Sequence, residues 1–355
     1  MKKVDIIIDL QYGSTGKGLI AGYMAMTGYY DMVINANMPN AGHTFIDAHG
    51  NKMMHKVLPN GVVGHTVKDV MIGPGSIFSV ERLMEELTTL NGMGYNDFRL
   101  WIHENAVVLL DTHKIAESSD KVLNDIGSTQ QGTAAAMIQK IMRNGVRDIT
   151  AGAQLSKEPF FKGKIITQRE WLMMINAASE ILVEGAQGYS LGMNAGFYPF
   201  CTSRDCTPTR FLADCGVSHH YLRRVIGTAR LHPIRVGGTS GPCYSDQEEI
   251  TWDSIGQEPE LTTVTNRERR VYTWSNMQIE EAIMACHPNH IFLNFCNYAP
   301  DDVSKRITDI RSAGMKCGFT TDVIYTGYGP TVNDVNAKLL DPCDMTRQEF
   351  MRGNH

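Results

Sequence analysis

A lysine set among glycines is the first feature of the chain that could do chemistry. Gly13-Ser14-Thr15-Gly16-Lys17-Gly18 follows the apolar run Val4 to Leu10 and precedes the helix-like stretch Leu19 to Met26. Strand, glycine-rich turn and helix in that order make a phosphate-binding layout. Backbone N–H groups and the helix N-terminus face the anion, and Lys17 supplies charge. The match to the Walker pattern is partial, because that pattern asks for Gly where this chain has Gln11 and for Ser or Thr where it has Gly18. The competing account is a solvent-facing lysine on an ordinary strand-to-helix turn.

Further polar loops follow other apolar runs. Asp31 to Asn35 leads into Asn40-Ala41-Gly42-His43-Thr44, a turn that can present several polar groups at once. Ile126-Gly127-Ser128-Thr129 opens onto an Ala-rich helix start, and Ile181 to Glu184 ends in Gly185-Ala186-Gln187-Gly188. Thr202 to Thr207 reads as a polar loop, as does Arg267-Glu268-Arg269-Arg270. The second, preceded by Thr262, Thr263 and Thr265, is either an anion-binding loop or an exposed basic stretch.

The elements that must carry these loops alternate strand and helix patterns. Val80 to Leu90 reads as an amphipathic helix and Arg99 to Leu110 as strand-rich. That alternation predicts an α/β sheet with a ligand crevice at the strand ends. No internal repeat or Pro/Ser-rich linker cuts the 355 residues, so residues 1–355 are expected to form one large domain. With 33 basic against 38 acidic residues the net charge is −5, which argues against a nucleic-acid surface. No run approaches a membrane span. The start Met1-Lys2-Lys3, followed by the short, acidic Val4 to Asp9, lacks a signal h-region. The eight cysteines include no Cys-x-x-Cys pair, so neither a structural zinc site nor a disulfide scaffold is expected. A cytoplasmic protein with reduced thiols is the expectation.

Taken in order, the loops resemble those of adenylosuccinate synthetase. The matching pieces are Gly13-x-x-Gly-Lys-Gly18, Asn40-Ala-Gly-His-Thr44, Ile126-Gly-Ser-Thr129, Glu184-Gly-Ala-Gln-Gly188, Tyr198-Pro199 with Thr202-Ser203, Arg235-Val-Gly237, Thr265-Asn-Arg-Glu-Arg-Arg270 and Thr326-Gly327. The resemblance implies one large α/β unit with a central, mostly parallel sheet flanked by helices, related to P-loop nucleotide binders, and a homodimer. In that family a nucleoside triphosphate phosphorylates O6 of a purine monophosphate, and the aspartate amine then displaces the phosphate.

Carried over by motif, Gly13, Thr15, Gly16, Lys17, Gly18, Gly42, His43, Thr44, Arg269, Phe295, Asn297 and Gly327 would hold the triphosphate nucleotide. His43 would be the general acid, and the Gly42 carbonyl would help ligate Mg²⁺. Ser14, Asn40, Ser128, Thr129, Gln187, Thr202 and Arg267 would hold the purine monophosphate, with Arg143 reaching its phosphate from the neighbouring subunit. Thr263, Thr265, Arg267 and Arg269 would form the aspartate loop. Such roles suit phosphoryl transfer, which depends on placing cations around the equatorial oxygens.

Two departures from the family pattern carry information. The family has Asp at the position of Ser14, where it accepts the N1 proton of inosinate and ligates Mg²⁺. A hydroxyl is a poorer base and a weaker metal ligand, but a residue bonded to N1 sits beside the C2 substituent. Shortening Asp to Ser makes room for the 2-amino group of guanine and leaves an acceptor there. The chain therefore resembles the viral branch of the family, the 2-aminoadenylosuccinate synthetases, which act on dGMP on the way to diaminopurine DNA. A water relayed through Ser14 is the expected route for the N1 proton.

The second departure is Asn294-Phe295-Cys296-Asn297, where the family has Thr-Lys-x-Asp. The family Asp rewards guanine, whereas the Asn297 amide can accept from an N6 amine and donate to a ring nitrogen, which fits the adenine of ATP or dATP. Phe295 could stack on that base. Two other activities compete with a dGMP–aspartate ligase: an ordinary synthetase acting on inosinate, and a non-catalytic nucleotide sensor. A generic P-loop kinase is a fourth reading.

Overall fold

The apolar runs of the sequence pair side by side into one large sheet. In the computed structural model, which describes residues 2–262 and 267–338, ten strands are hydrogen-bonded in a single layer. From one edge to the other they are Val335–Ala337, Asp322–Gly327, His290–Asn294, Leu222–Arg230, Val4–Asp9, Ile181–Glu184, Met32–Asn35, Asp69–Ile72, Arg99–His103 and Ile165–Ile166. All neighbours run parallel except the edge strand Val335–Ala337, which is antiparallel to Asp322–Gly327. The α/β architecture expected from the alternating pattern is therefore the one that forms.

The first strand, β1 (Val4–Asp9), is central and buried on both faces, as its near-continuous apolar run requires. Ile6 and Ile8 enter one apolar layer with Trp171 and Phe211, and Ile7 enters the other with Leu19, Ile20 and Phe45. Asp5 is buried within this strand and needs partners. It receives 2.9 and 2.8 Å hydrogen bonds from the Arg223 guanidinium and one of 2.7 Å from the Tyr30 hydroxyl. Removing Arg223 would strand the Asp5 charge in the core, whereas Arg223 is partly exposed and also pairs with Glu180 at 2.6 Å.

The first helix, α1 (Lys17–Thr27), starts two residues earlier than its apolar pattern suggested, so Lys17 stands in its first turn. Gly16 caps it at φ 93°, a left-handed conformation, and a Cβ there would strike the Asn294 side chain. Two other boundaries differ from the sequence pattern. The second strand begins at Met32 rather than Asp31, and Arg270, expected in a loop, opens the strand Arg270–Tyr272 of a small three-stranded sheet. Among the described residues no helix is long and apolar enough to cross a membrane.

Five neighbouring parallel strands each end on a polar residue at the same edge of the sheet: Asp9, Asn35, Glu184, Arg230 and Asn294. Ligands in open parallel sheets bind outside the carboxyl ends of the strands. Four of them, Asp9, Glu184, Arg230 and Asn294, underlie or line the site.

Candidate active site

A cleft of about 720 Å³ opens over that edge, joined by shared walls at Tyr12, Asn40, Thr129, Gln187 and Arg269 to a smaller one of about 180 Å³. The glycine-rich turn forms its floor. Asp9, only 1% exposed, organises the turn from beneath. Its Oδ1 accepts the N–H groups of Gln11 at 2.8 Å and Gly13 at 3.2 Å, and its Oδ2 lies 3.0 Å from Lys17 Nζ. Lys17 also donates to the Gln187 carbonyl at 2.7 Å. The lysine thus lines the cleft floor, held by these partners and not free in solvent. The Gly13 amide is occupied by Asp9. Thr15 is fully buried, and its hydroxyl meets Asp9 and Thr228, so its side chain is turned away from the cleft. Any phosphate contact by Thr15 runs through the backbone.

His43 begins the short strand His43–Ile46, which packs against α1. Its Nδ1 is 2.6 Å from Glu184 Oε1, and Glu184 also accepts the Asn60 backbone N–H at 2.6 Å and the Asn60 amide at 3.0 Å. Glu184 is 2% exposed. Burial alone would push its carboxyl up, but the hydrogen bond and charge of His43 and the two bonds from Asn60 outweigh it, so it stays below the usual carboxylate range. An ionised partner on Nδ1 fixes the ring and leaves Nε2 for the cleft, which His43 lines. That is the arrangement of an oriented acid–base histidine. Asp9, Glu184 and Asn60 were not singled out from sequence. The signal for the first two was there, as Asp9 closes the apolar run Ile6 to Ile8 and Glu184 the apolar run Ile181 to Val183.

At one end of the cleft stand Phe295, Asn297, Tyr298, Gly329 and Pro330. Phe295 adopts φ 56°, unusual for an aromatic residue, and its N–H is bonded to Asn294 Oδ1 at 2.8 Å. One face of the ring is covered by the buried Arg230 guanidinium, 3.8 Å from the ring centroid. Arg230 in turn pairs with Glu260 at 2.5 Å. Burial pushes the Glu260 carboxyl up, but the Arg230 charge and hydrogen bond, with help from Arg269 and Tyr298, hold it below the usual range. An aromatic ring with a nearby amide in a cleft wall can stack a base and read its edge.

At the other end Gln187 donates to Asn40 at 3.0 Å and Asn40 to Thr202 at 3.1 Å, a chain of polar groups on the wall of the smaller cleft. Ser128 and Thr129 line it as well. So does Glu117, whose carboxylate takes the N–H groups of Gly132 and Ala134 at 2.7 and 2.6 Å and thereby answers the N-terminus of helix Thr133–Ile141. Arg235 lines this cleft with its guanidinium bonded to the carbonyls of Pro242 and Phe200.

The cleft walls therefore gather Gly13, Ser14, Gly16, Lys17, Gly18, Asn40, Gly42, His43, Thr44, Ser128, Thr129, Gln187, Thr202, Arg269, Phe295 and Asn297. Four expected residues are placed elsewhere. Besides Thr15, Gly327 is buried behind Asn294, and Arg267 is exposed at the base of its loop, with its N–H on the Thr262 hydroxyl at 2.9 Å. Arg143 is exposed just beyond helix Thr133–Ile141 and lines neither cleft of its own chain. Thr263 and Thr265 lie outside the described residues.

A glycine-rich turn, a carboxylate-oriented histidine, an aromatic wall and an amide-lined second cleft meet at the strand ends of this fold, which is that of a nucleotide-dependent synthetase. The chain belongs to the adenylosuccinate synthetases, whose family model matches residues 6–168 and 158–301. It is 51% identical over 344 residues to the N6-succino-2-amino-2'-deoxyadenylate synthase of Vibrio phage phiVC8, covering 95% of this chain and 99% of that protein. The synthase of the same name from Cyanophage S-2L is 37% identical, over 94% of this chain and 92% of that one. A solved structure of the S-2L succinoaminodeoxyadenylate synthetase, bound to dGMP and to dATP as an energy donor, superposes with a TM-score of 0.87 at 35% identity, covering 99% and 98% of the two chains. Fully ligated adenylosuccinate synthetase from Plasmodium falciparum shares the fold, with a TM-score of 0.77 at 20% identity over 95% of this chain and 100% of that one.

Proposed function

We propose that the protein is a carbon–nitrogen ligase joining dGMP and L-aspartate with hydrolysis of ATP or dATP, giving 2-amino-2'-deoxy-N6-succinyladenylate for diaminopurine DNA. The observation that carries this reading is Ser14, exposed on the wall of a cleft that also holds Lys17 and the His43–Glu184 pair. A relative whose structure carries dGMP together with dATP supports the same pair of nucleotides here. The whole chain acts as one unit, in the cytoplasm of a host cell.

The reaction runs in two steps. O6 of dGMP attacks the γ-phosphorus, the bond to the β–γ bridging oxygen breaks, and the nucleoside diphosphate leaves. The aspartate amine then adds at C6 and expels inorganic phosphate. Lys17 and the amides at the start of α1 hold the phosphates, His43 donates a hydrogen bond or proton to the transferring group, and Glu184 keeps its ring aimed. Ser14 sits beside the purine N1 and C2 edge, with Asn40, Ser128, Thr129, Gln187 and Thr202 on the rest of the nucleotide. Adenine stacks on the open face of Phe295 with Asn297 at its edge. Thr263, Thr265, Arg267 and Arg269 receive the aspartate carboxylates.

Among the described residues no group of three or more His, Cys, Asp or Glu forms a metal cage, and Asp9 is already engaged. Ser14 and Gly42 offer oxygen ligands, which suits a Mg²⁺ ion that arrives on the triphosphate and keeps several waters. Such an ion neutralises phosphate charge.

The test is phosphate release with aspartate, Mg²⁺ and ATP, offering dGMP, GMP and inosinate separately, and with GTP in place of ATP. Guanylates should support turnover, and ATP or dATP should outperform GTP. Faster release with inosinate than with either guanylate would overturn the assignment.

The site is completed by a second copy of the chain. The smaller cleft presents Glu117 beside Arg235 and Arg269, and Arg235 already donates to two carbonyls, so a further cation from a second chain would strengthen the hold on a phosphate dianion there. Arg143 is exposed among the exposed apolar residues Ile138, Ile141, Met142 and Val146, as an interface residue would be. Arg143→Leu should raise the KM for dGMP by about 10- to 150-fold, the worth of a hydrogen bond to a charged group, with ATP binding near normal. Equal mixing with a His43→Asn variant should recover about a quarter of wild-type activity, since half the dimers then hold one intact site. No recovery despite proven subunit exchange would refute a shared site.

A further inference from the structure

Four residues assigned to substrate in the proposed reaction, Ser14, Arg143, Gln187 and Phe295, hold a left-handed backbone, and two of them, Ser14 and Phe295, touch the same buried side chain. Ser14 has φ 57° and Phe295 has φ 56°, left-handed values that a residue other than glycine keeps only when its surroundings enforce them. The Arg230 guanidinium donates to the Ser14 carbonyl at 3.2 Å and lies 3.8 Å from the Phe295 ring centroid. The Nη1 that bonds Ser14 also meets Glu260 Oε2 at 3.3 Å and Nη2 meets Oε1 at 2.5 Å, while Nε is buried without a partner among the described residues. Glu260 Oε1 also accepts the Tyr298 hydroxyl at 3.2 Å. Arg230 ends the long strand Leu222–Arg230 next to β1, so it is fixed by the sheet, and its backbone is clamped on both sides by the Gln11 amide.

We propose that Arg230 is a positioning residue that sets both nucleotide preferences of the enzyme, the donor base by seating the Phe295 ring so that the stacked base meets Asn297, and the acceptor purine through Ser14. The inference rests on the proposed function for which nucleotide meets which residue. It adds that the two choices share one strut. A planar guanidinium can stack on a ring while its edge bonds a carbonyl and a carboxylate; an ammonium can bond one or the other and offers no flat face. Arg230 is wholly buried and lines neither cleft, so it acts through its neighbours and not on substrate.

The experiment is equilibrium binding by calorimetry of ATP, GTP, dGMP and inosinate, one at a time, to the wild type and to Arg230→Lys. No turnover is needed. The ATP-to-GTP and dGMP-to-inosinate affinity ratios should both move toward unity by at least about fivefold, the low end of typical coupling between sites. If Arg230→Lys does not fold, Arg230→Gln, which still bonds a neighbour but offers neither the charge nor the flat face, should move both ratios in the same direction by about twofold or more. A common fall in all four affinities with unchanged ratios would mark Arg230 as scaffold only and overturn the proposal, as would movement of one ratio alone. Each ratio is compared with wild type whichever nucleotide wild type prefers. A wild type favouring inosinate therefore sinks the dGMP assignment and leaves the test of Arg230 standing.

Discussion

Glu184→Gln is expected to lower kcat by about 100- to 10,000-fold, the usual worth of general acid–base assistance, while leaving the affinity for ATP nearly unchanged. The amide keeps the size of the side chain and can still accept one hydrogen bond from His43 Nδ1 in place of the 2.6 Å bond. It cannot supply the negative charge that stabilises an imidazolium, nor does it enforce which ring nitrogen carries the proton. It also brings a donor group toward the Asn60 N–H, which now bonds Glu184 Oε2 at 2.6 Å. Because the two residues act as a unit, His43→Asn and the double variant should fall to a similar floor and not to the product of the single effects. A loss under tenfold would separate Glu184 from the chemistry.

Acid stability supplies an independent check on the same pair. The Glu184 carboxyl sits below the usual range in the folded protein, held by His43 and Asn60 against the cost of burial. Its contribution is therefore fully present above the unfolded value of about 4.3 and is lost as the pH falls through the lower folded value. Denaturation midpoints of wild type should drop more steeply through that window than those of Glu184→Gln, in which the group does not titrate.

What sequence could disclose here was local. The Gly13–Gly18 turn, the Asn40–Thr44 loop and the Glu184–Gly188 turn are each short runs whose residue types announce their conformation, and each lies at the cleft. Partnerships across the chain were not legible in the same way. Lys17 read as a phosphate hook, yet its ammonium is shared between Asp9 and the Gln187 carbonyl, 170 residues away. His43 and Glu184 are 141 residues apart and meet because the loop that leaves strand Met32–Asn35 carries His43 back over the end of its neighbour Ile181–Glu184. Arg230 drew no notice as the last residue of a strand. The register of the sheet is what sets it beside Ser14 and Phe295. The common signal was a polar residue closing an apolar run, which parallel strand order turns into a ring of functional groups.

Ser14→Asp puts the argument about C2 to its hardest test, and the ratio of dGMP to inosinate turnover should fall at least about tenfold, the worth of roughly 1.4 kcal/mol. The backbone is not an obstacle. Ser14 is already left-handed at φ 57°, a conformation that Asp tolerates better than most residues. The side chain is exposed on the cleft, so a carboxylate there meets substrate and not core. It would also be the first uncommitted carboxylate in the phosphate loop, since Asp9 is spent on the Gln11 and Gly13 amides and on Lys17. Inosinate carries only hydrogen at C2, so the longer side chain fits it and gains a base for the N1 proton and a charged ligand for Mg²⁺. For dGMP two effects oppose. The carboxylate can accept from the 2-amino group, but it also pushes a purine that Ser14 was short enough to admit, and a shift of about 1 Å in a reacting geometry can cost on the order of 100-fold. Turnover of dGMP proceeds without that base and has less to gain from one. Inosinate turnover should therefore rise while that of dGMP stays level or drops. If the ratio holds or climbs, Ser14 does not discriminate the 2-amino group, and preference for the guanylate must come from elsewhere in the cleft.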